Sequence, residues 1–303
     1  MTGSKEEDEM LSTVNWQNPY AQRAGRWLRG NLHTHTSPAS ACSAMPLAQV
    51  LELYAQAGYD FLAISDHLVY TPATHPRLTL ISGMEWNSPK QEHTGIYGKQ
   101  VVSNPALPAF TSQTELIAAL AGTDELLILN HPNWQYRPHY HREELLQAGD
   151  YDGVEIFNGV VKRLEGSEYA TDKWDYLLAM GKRVLGFASD DAHIVSDIGL
   201  GWIMVRAAGN SAGEIFAAIK AGNFYCSSGV QISDIFRNDR CIELETENAQ
   251  EIQVLGEGGR LIQTTRDSRL TFDLAAAQGS SYVRFTAYGP GAAMAWTQPF
   301  FLQ

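Results

Sequence analysis

The segment Asp60-Phe61-Leu62-Ala63-Ile64-Ser65-Asp66-His67 joins a short apolar run to two polar side chains that are suited to chemistry. Such a run is typical of a strand that is buried on both faces in a parallel sheet. Asp66 and His67 come directly after it, at the carboxyl end of the predicted strand. The segment therefore predicts a buried strand that delivers an acid and an imidazole to one edge of a sheet.

Similar extended segments alternate with helical periodicity through most of the chain. The extended segments are 30–35, 60–65, 77–84, 94–102, 126–129, 153–157 and 183–188. Apolar residues at helical spacing follow Pro46 and recur at 115–121, 143–148, 168–180 and 211–221. This alternation predicts an α/β fold with a parallel sheet. About seven strands favour a distorted, TIM-like (β/α) barrel over an open sheet.

The pattern changes after about residue 227, where residues alternate in the period of a strand. Examples are Ile242-Glu243-Leu244, Ile252-Gln253-Val254 and Leu270-Thr271-Phe272. We predict that residues 227–303 form a small all-β, sandwich-like module. Because this module contains no histidine, we expect the chemistry of the protein to lie outside it. Residues 1–29 are predicted to be a leader that packs on a main domain of residues 30–226.

Composition restricts the class of protein. The chain has 303 residues, 18% of them charged, and a formal net charge of −12. No apolar run approaches the roughly 18 residues that a membrane-spanning helix needs. The negative charge disfavours a large surface contact with nucleic acid. Three cysteines without a Cys-x-x-Cys spacing argue against disulfides and against a thiolate zinc cage, and they favour a reducing, cytoplasmic compartment.

Histidines and acids gather at the ends of the predicted strands. Six of the nine histidines lie at the end of an extended apolar segment, or just before one, close to Asp or Glu. Imidazole and carboxylate ligands together suit zinc, manganese or iron, whereas magnesium and calcium prefer oxygen ligands. The set exceeds what one tetrahedral ion can use, so more than one metal is expected. The candidate ligands are His33, His35, His67, Glu85, His93, His131, Asp191 and His193.

Other interpretations exist for individual residues. His75, His139 and His141 are predicted to lie in loops, and an isolated acid such as Glu85 or Asp191 often caps a turn or a helix. The sequence contains no Gly-x-Ser-x-Gly elbow for a nucleophilic serine. Asp66 and Asp190 adjoin candidate ligands. Together with Glu85 they are the candidate catalytic residues. Asp66 and Asp190 would either move a proton or orient the histidines by hydrogen bonds.

Jointly, several short motifs resemble the polymerase and histidinol phosphatase (PHP) superfamily of metal-dependent phosphoesterases. The resemblance covers about residues 30 to 226 in the family's order. The segments 153–158, 174–178 and 223–227 are more similar to its carbaryl-hydrolase-like branch, which also carries a C-terminal β extension. The motifs are His33-Thr34-His35, Ser65-Asp66-His67, Gly83-Met84-Glu85, His93 before Gly95-Ile96-Tyr97-Gly98, Asn130-His131-Pro132 and Asp191-Ala192-His193.

The resemblance implies a distorted seven-stranded barrel with two or three divalent transition metals at its rim. It assigns a first metal to His33, His35, Glu85 and Asp191. It assigns a second metal to Glu85, His93 and His131, with Glu85 as the bridge, and places His67 and His193 in a third site.

The chain departs from the family pattern just after the His-x-His pair. Family members usually have an Asp or His there that completes the third site. This chain has Ser37-Pro38-Ala39-Ser40-Ala41-Cys42-Ser43 instead. Four alternatives follow: the third metal is absent, is weakly held, is completed by substrate or water, or is ligated by Cys42.

Three functional hypotheses follow from the residues and the resemblance. The first is hydrolysis of a phosphoester in a small, anionic molecule, with a hydroxide bridged between two metals. The second is hydrolysis of a carbamate, ester or amide at the same site, which a hydrophobic pocket without cationic groups would favour. The third is a non-catalytic protein that binds metal or a partner.

Overall fold

The structure is a computed structural model that describes residues 16–135, 140–238 and 240–302. Its α-helices all lie before residue 221, and only strands and short 3-10 turns follow, which confirms a mixed α/β region succeeded by an all-β region. The strands are β1 (Trp16–Gln17), β2 (Arg26–Asn31), β3 (Phe61–Ile64), β4 (Thr79–Asn87), β5 (His93–Tyr97), β6 (Leu126–Leu129), β7 (Gly153–Asn158), β8 (Leu185–Ser189), β9 (Trp202–Ala207), β10 (Phe224–Ser227), β11 (Ile232–Arg237), β12 (Cys241–Thr246), β13 (Glu251–Gly256), β14 (Arg260–Thr265), β15 (Arg269–Asp273), β16 (Tyr282–Tyr288), β17 (Met294–Thr297) and β18 (Phe300–Leu302). The α-helices are α1 (Leu47–Gln56), α2 (Gln100–Ser103), α3 (Gln113–Leu120), α4 (Arg142–Gln147), α5 (Thr171–Ala179) and α6 (Ala212–Lys220).

Strands β2 to β8 lie side by side in chain order in one large sheet. The pairs β2/β3, β3/β4, β6/β7 and β7/β8 are parallel. Strands β3 and β6 are buried at every position, as expected for strands covered on both faces. The predicted strand and helix series is therefore present, and most of its parallel pairing is as predicted.

Strand β5 departs from the predicted parallel sheet because it is antiparallel to both β4 and β6. The loop 88–92 between β4 and β5 is too short for a crossover, so the two strands form a hairpin. This reversal places His93, the first residue of β5, at the edge where β3 and β6 end. The predicted extended segment 94–102 is also wrong in its second half, where α2 forms.

The sheet curls towards a ring, but not as one continuous ladder. A single parallel bridge joins Thr34, after β2, to Ala192, after β8. Around it, the N–H of His35 donates to the carbonyl oxygen of Ala192 and the N–H of Asp191 to that of His33, both at 3.0 Å. On the side of β2 that faces away from β3, strand β9 pairs antiparallel with β2. Within the described ranges no ladder joins β8 to β9 or β10, so the predicted barrel is not closed, and a single bridge joins its ends at the rim.

The C-terminal strands have a hydrophobic core of their own. Strands β11, β12 and β15 form a separate three-stranded sheet, whereas the others belong to the large sheet. Strand β10 pairs with β17, β17 with β16, and β16 with β13. Strand β1 pairs with β18, and Trp16 and Tyr20 are buried in this second core. Strand β2 begins at Arg26 and crosses the predicted boundary at 29/30. Strand β10 ends at Ser227 and crosses the one at 226/227. The division into 1–29, 30–226 and 227–303 stays a prediction.

A buried ion pair connects the two regions. The Arg284 guanidinium on β16 donates to both carboxylate oxygens of Asp175 on α5, at 2.7 and 2.6 Å. Because both groups are buried, each needs the other to offset its loss of hydration. Separately, the longest helix in the described part of the chain has ten residues, and none there is long and apolar enough to cross a membrane.

Candidate metal centre

The predicted ligands come from six different strands and meet at the rim of the curled sheet. His33 and His35 follow β2, His67 follows β3, and Glu85 lies within β4. His93 begins β5, His131 follows β6, and Asp191 and His193 follow β8. Their donor atoms form overlapping groups: His33, His35 and Glu85; His33, His131 and Asp191; His67, Glu85 and His93; and His35, Cys42, His67 and His193.

The innermost group has the spacing of a coordination shell. His33 Nε2 and His35 Nε2 lie 3.1 Å apart, and Asp191 Oδ1 lies 3.2 and 3.1 Å from them. The Glu85 oxygens lie 3.3 Å from His33 Nε2 and 3.4 Å from His35 Nε2. Ligands at 2.0–2.1 Å from a tetrahedral ion are separated by about 3.3–3.4 Å. The four residues therefore fit one divalent cation.

Glu85 also faces a second set of imidazoles. Its Oε1 lies 3.0 Å from His93 Nδ1 and 3.2 Å from His131 Nε2. Its Oε2 lies 3.2 Å from His67 Nδ1. Because its carboxylate contacts both the inner group and this second set, Glu85 has the geometry of a bridging ligand.

Hydrogen bonds orient three of the imidazoles with Nε2 towards the cluster. His33 Nδ1 donates to Glu155 Oε1 at 2.8 Å, and His193 Nδ1 donates to the carbonyl oxygen of Asp191 at 2.7 Å. His35 Nδ1 donates to Ser40 Oγ at 3.3 Å, since that hydroxyl gives its own proton to Asp66. A ring whose Nδ1 carries the proton has its lone pair on Nε2, the form that binds metal.

Charge in the centre favours a cation. Burial alone would raise the pKa of Glu85 and of Asp191, but the surrounding histidines, His33 first, hold both well below the usual range. Burial likewise opposes protonation of His33, but Asp191, Glu155 and Glu85 hold its pKa well above the usual value. Burial lowers the pKa of His35 to about 4. Without an ion, a proton on His33 offsets part of the negative charge, and a bound cation would replace that proton.

Two of the candidate ligands adopt left-handed backbone conformations. His131 has a φ of 32° and Asp191 has a φ of 52°. Such conformations cost on the order of 1–3 kcal/mol and persist where surrounding contacts enforce them. Here the His131 N–H donates to Glu155 Oε2 at 2.7 Å, and the Asp191 N–H donates to the His33 carbonyl oxygen. The strain points both side chains into the cluster.

Glu155 is a functional candidate that the sequence analysis did not single out. It lies on β7, is buried, and also accepts hydrogen bonds from Ser189 Oγ at 2.5 Å and Asn158 Nδ2 at 2.9 Å. It therefore ties His33 and His131 to one carboxylate. An acid inside an otherwise apolar predicted strand was the available signal.

Asp66 and Asp190 are buried beside the centre, but their oxygens are turned to the scaffold. Asp66 accepts four hydrogen bonds, from Thr36 N and Oγ1, Ser40 Oγ and Thr71 Oγ1, at 2.6–2.7 Å. Asp190 accepts from the N–H groups of residues 199–201 and from two tyrosine hydroxyls. Burial raises the pKa of Asp190, and these hydrogen bonds counter the rise. The contacts favour orienting roles over proton transfer for both acids.

The remaining histidines lie away from the cluster or outside the described residues. His75 Nε2 contacts the exposed Glu52 at 3.4 Å. His141 precedes α4 as its N-cap residue. His139 and Arg137, which the sequence analysis placed in a loop, fall in the range 136–139 that the structure does not describe.

An open pocket of about 710 Å³ leads to the centre. Besides the metal-centre residues it is lined largely by apolar side chains: Ala39, Ala41, Leu68, Trp134, Val160, Val161, Leu164 and Ile194. Arg163 is the one arginine or lysine among its described lining residues, and its guanidinium is paired with both oxygens of Asp197 at 2.8 and 2.9 Å. The pocket therefore combines a polar floor with hydrophobic walls.

The family comparison gives one partial match. Residues 178–224 match a family model described as PHP-associated. This segment holds Asp190, Asp191 and His193 but less than half of the chain. No curated protein matches the chain significantly.

Two solved structures share the fold at low sequence identity. One is a two-domain protein from Bacteroides vulgatus containing a predicted PHP-like metal-dependent phosphoesterase. It is 15% identical, covers 96% of this chain and 90% of its own, and has a TM-score of 0.51. The other is a lesion-specific endonuclease from Pyrococcus furiosus, also 15% identical, which covers 64% of this chain and 56% of its own with a TM-score of 0.52. The chain thus shares its fold with these two proteins, and it carries at its rim a cluster of donors that suits divalent metals.

Proposed function

We propose that this protein is a metal-dependent phosphoester hydrolase of the PHP superfamily, from the branch that resembles carbaryl hydrolase. The observation that carries the proposal is the position of Glu85, whose one carboxylate contacts the inner group and the second set of imidazoles. The partial family match and the shared fold support the same class.

The residues divide into those that would hold ions and those that would position them. Zinc, manganese or iron would be held by His33, His35, Glu85 and Asp191, and by Glu85, His93 and His131. When bound, such ions lower the pKa of water and stabilise charge on phosphoryl oxygens. Glu85 fixes the spacing of the two groups, and Glu155 keeps the Nε2 atom of His33 available.

The pocket indicates the kind of substrate. Leu164 and Ile194 are 39% and 38% exposed at its mouth, and Trp134 lies beside His93 and His131 with ring centroids 6.0 and 5.1 Å apart. Apolar walls bind an apolar group and exclude water from it. We therefore expect a small phosphate ester with an aromatic or aliphatic substituent.

A screen of aryl and alkyl phosphomonoesters and phosphodiesters tests the proposal. The protein is stripped of metal and reloaded with zinc or manganese, and a Glu85→Ala variant is assayed in parallel. Turnover that needs metal and falls to background in Glu85→Ala is the expected result. No turnover by the reloaded protein, or equal turnover by the variant, would overturn the proposal.

Hydrolysis of a carbamate or carboxylic ester is the second candidate, and a specific observation favours it. Arg163, the pocket's one described cationic lining residue, is already paired with Asp197, and the walls are apolar. The two candidates separate in a matched series in which the same phenol leaves from a phosphate, a carbamate or an acetate. The substrate of this series with the highest kcat/KM identifies the type of bond that the site favours.

A further inference from the structure

The outer group of donors contains a thiol as well as imidazoles. His35, Cys42, His67 and His193 place one ligand atom each within 4.8 Å of one another. His35 Nε2 is already 3.1–3.4 Å from His33, Asp191 and Glu85, so it belongs to the inner group. The other three side chains of the group are Cys42, His67 and His193, of which His67 also has its Nδ1 3.2 Å from Glu85 Oε2.

The loop that carries Cys42 is bonded to both segments that carry the imidazoles. The Ala44 N–H donates to the carbonyl oxygen of His193 at 3.0 Å. The His67 N–H donates to Ser40 Oγ at 3.0 Å. Residues 40–44 are therefore held against His67 and His193 by hydrogen bonds on both sides of Cys42.

A hydrogen bond presents the His193 imidazole in the form that binds metal. The proton of His193 is on Nδ1, which donates to the Asp191 carbonyl oxygen, so Nε2 has its lone pair available. The His35 ring stacks on that of His67 and is tilted against that of His193, with centroid distances of 4.6 Å in both pairs. This stacking limits how far the two rings can turn away.

We propose that Cys42, His67 and His193 bind a zinc ion of their own at the mouth of the pocket, with the thiolate of Cys42 as its anionic ligand. A thiolate with two imidazoles selects a softer ion than the carboxylate and imidazole groups below it, and so prefers zinc over manganese or magnesium. Three protein ligands leave the fourth tetrahedral position open to solvent or substrate, as in zinc sites that take part in reactions.

The outer site would also affect substrate binding, and this part of the inference rests on the proposed function. Two neutral imidazoles and one thiolate leave a bound divalent ion with net positive charge. That charge faces a pocket whose described arginine is already ion-paired. The outer ion would therefore attract the anionic part of a substrate, which makes Cys42 a determinant of substrate charge.

Cobalt substitution tests the proposal without relying on turnover. Metal-free protein is titrated with cobalt, and the near-ultraviolet thiolate-to-cobalt charge-transfer band is followed together with metal content. The wild type is expected to show the band at saturation. Cys42→Ser is expected to lose it and to bind one cobalt ion fewer per chain. Cys241→Ser is the matched control, because Cys241 is partly buried on β12 outside the cluster, and it should behave as the wild type.

A second measurement keeps the test independent of how the variant folds. X-ray absorption at the zinc edge of the wild type should show one sulfur neighbour per chain at about 2.3 Å. A spectrum with nitrogen and oxygen neighbours only, or a charge-transfer band that survives in folded Cys42→Ser, would overturn the proposal. A sulfur neighbour in a protein that hydrolyses none of the screened esters would support this site and count against the proposed function alone.

Discussion

His33 Nδ1 lies 2.8 Å from Glu155 Oε1, and both side chains are buried. The carboxylate fixes which ring nitrogen carries the proton, and Nε2 of the same ring faces His35, Asp191 and Glu85. Glu155 also accepts the backbone N–H of His131, a second candidate ligand. Glu155 thus positions one residue of the inner group, His33, and one of the second set, His131, although it belongs to neither.

Replacing Glu155 by Gln should weaken metal binding about 10–100-fold, the range typical of carboxylates that orient metal-binding histidines. The amide keeps the size of the side chain but removes its charge and turns one acceptor into a donor. Competition with a chromogenic chelator measures the affinity. Glu165→Gln, at an exposed position, is the control and should change nothing. Unaltered affinity in Glu155→Gln would show that the contact is only structural.

Metal should also stabilise the fold, because the donors are assembled only in the folded chain. A ligand at 100 times its Kd adds about 2.7 kcal/mol to the free energy of unfolding. Reloading chelator-treated protein with zinc should therefore raise Tm by several degrees in calorimetry. Glu85→Ala, which lacks the shared carboxylate, should show a much smaller rise. An equal rise in both proteins would place the stabilising ion elsewhere.

The sequence predicted which histidines and acids gather at the rim, because most of them follow or begin an apolar strand, and strand ends of a parallel sheet share one edge. Their roles as ligands stay a prediction. It also predicted the series of strands from β2 to β8. Local periodicity carries no information about strand direction, however, so the sequence did not predict that β5 is antiparallel to its neighbours. His93 nevertheless reaches the centre, since the first residue of a reversed strand lies at the same edge as the last residues of its neighbours.

Other features depend on contacts between residues far apart in the chain, which one sequence does not reveal. Cys42 was left as one of four alternatives because only the fold brings it to His67 and His193. The pairing of β1 with β18 joins residues 16 and 302. The sequence likewise did not predict that the carboxylates of Asp66 and Asp190 point away from the metal centre, towards hydrogen-bond donors of the surrounding fold. An acid beside a candidate ligand has the same sequence context in either orientation.

Asp190→Asn should destabilise the protein by about 3 kcal/mol, because buried donors left unpaired cost roughly 1–3 kcal/mol each. Asp190 accepts three backbone N–H groups of residues 199–201 and the hydroxyls of Tyr54 and Tyr59. An asparagine would direct an NH₂ group at some of these donors. Urea denaturation measures the loss, with the exposed Asp150→Asn as control. A stable variant that has lost only turnover would instead assign Asp190 to proton transfer.

Asp197 should make the protein's stability depend on acid pH. Burial alone would raise the pKa of Asp197, but the Arg163 guanidinium and the N–H groups of His193 and Ile194 lower it below the usual value. An acid whose pKa is lower in the folded state stabilises the protein above its unfolded pKa of about 3.9, and that stabilisation is lost as the pH falls through the folded value. Asp197→Asn removes the titrating group. The difference in unfolding free energy between wild type and variant should be about 1–2 kcal/mol near neutral pH, a modest value because Arg163 is partly exposed. Urea denaturation from about pH 3 to about pH 7 should show this difference shrinking below about pH 4. A difference that stays constant across the range would mean that the carboxylate charge of Asp197 does not contribute.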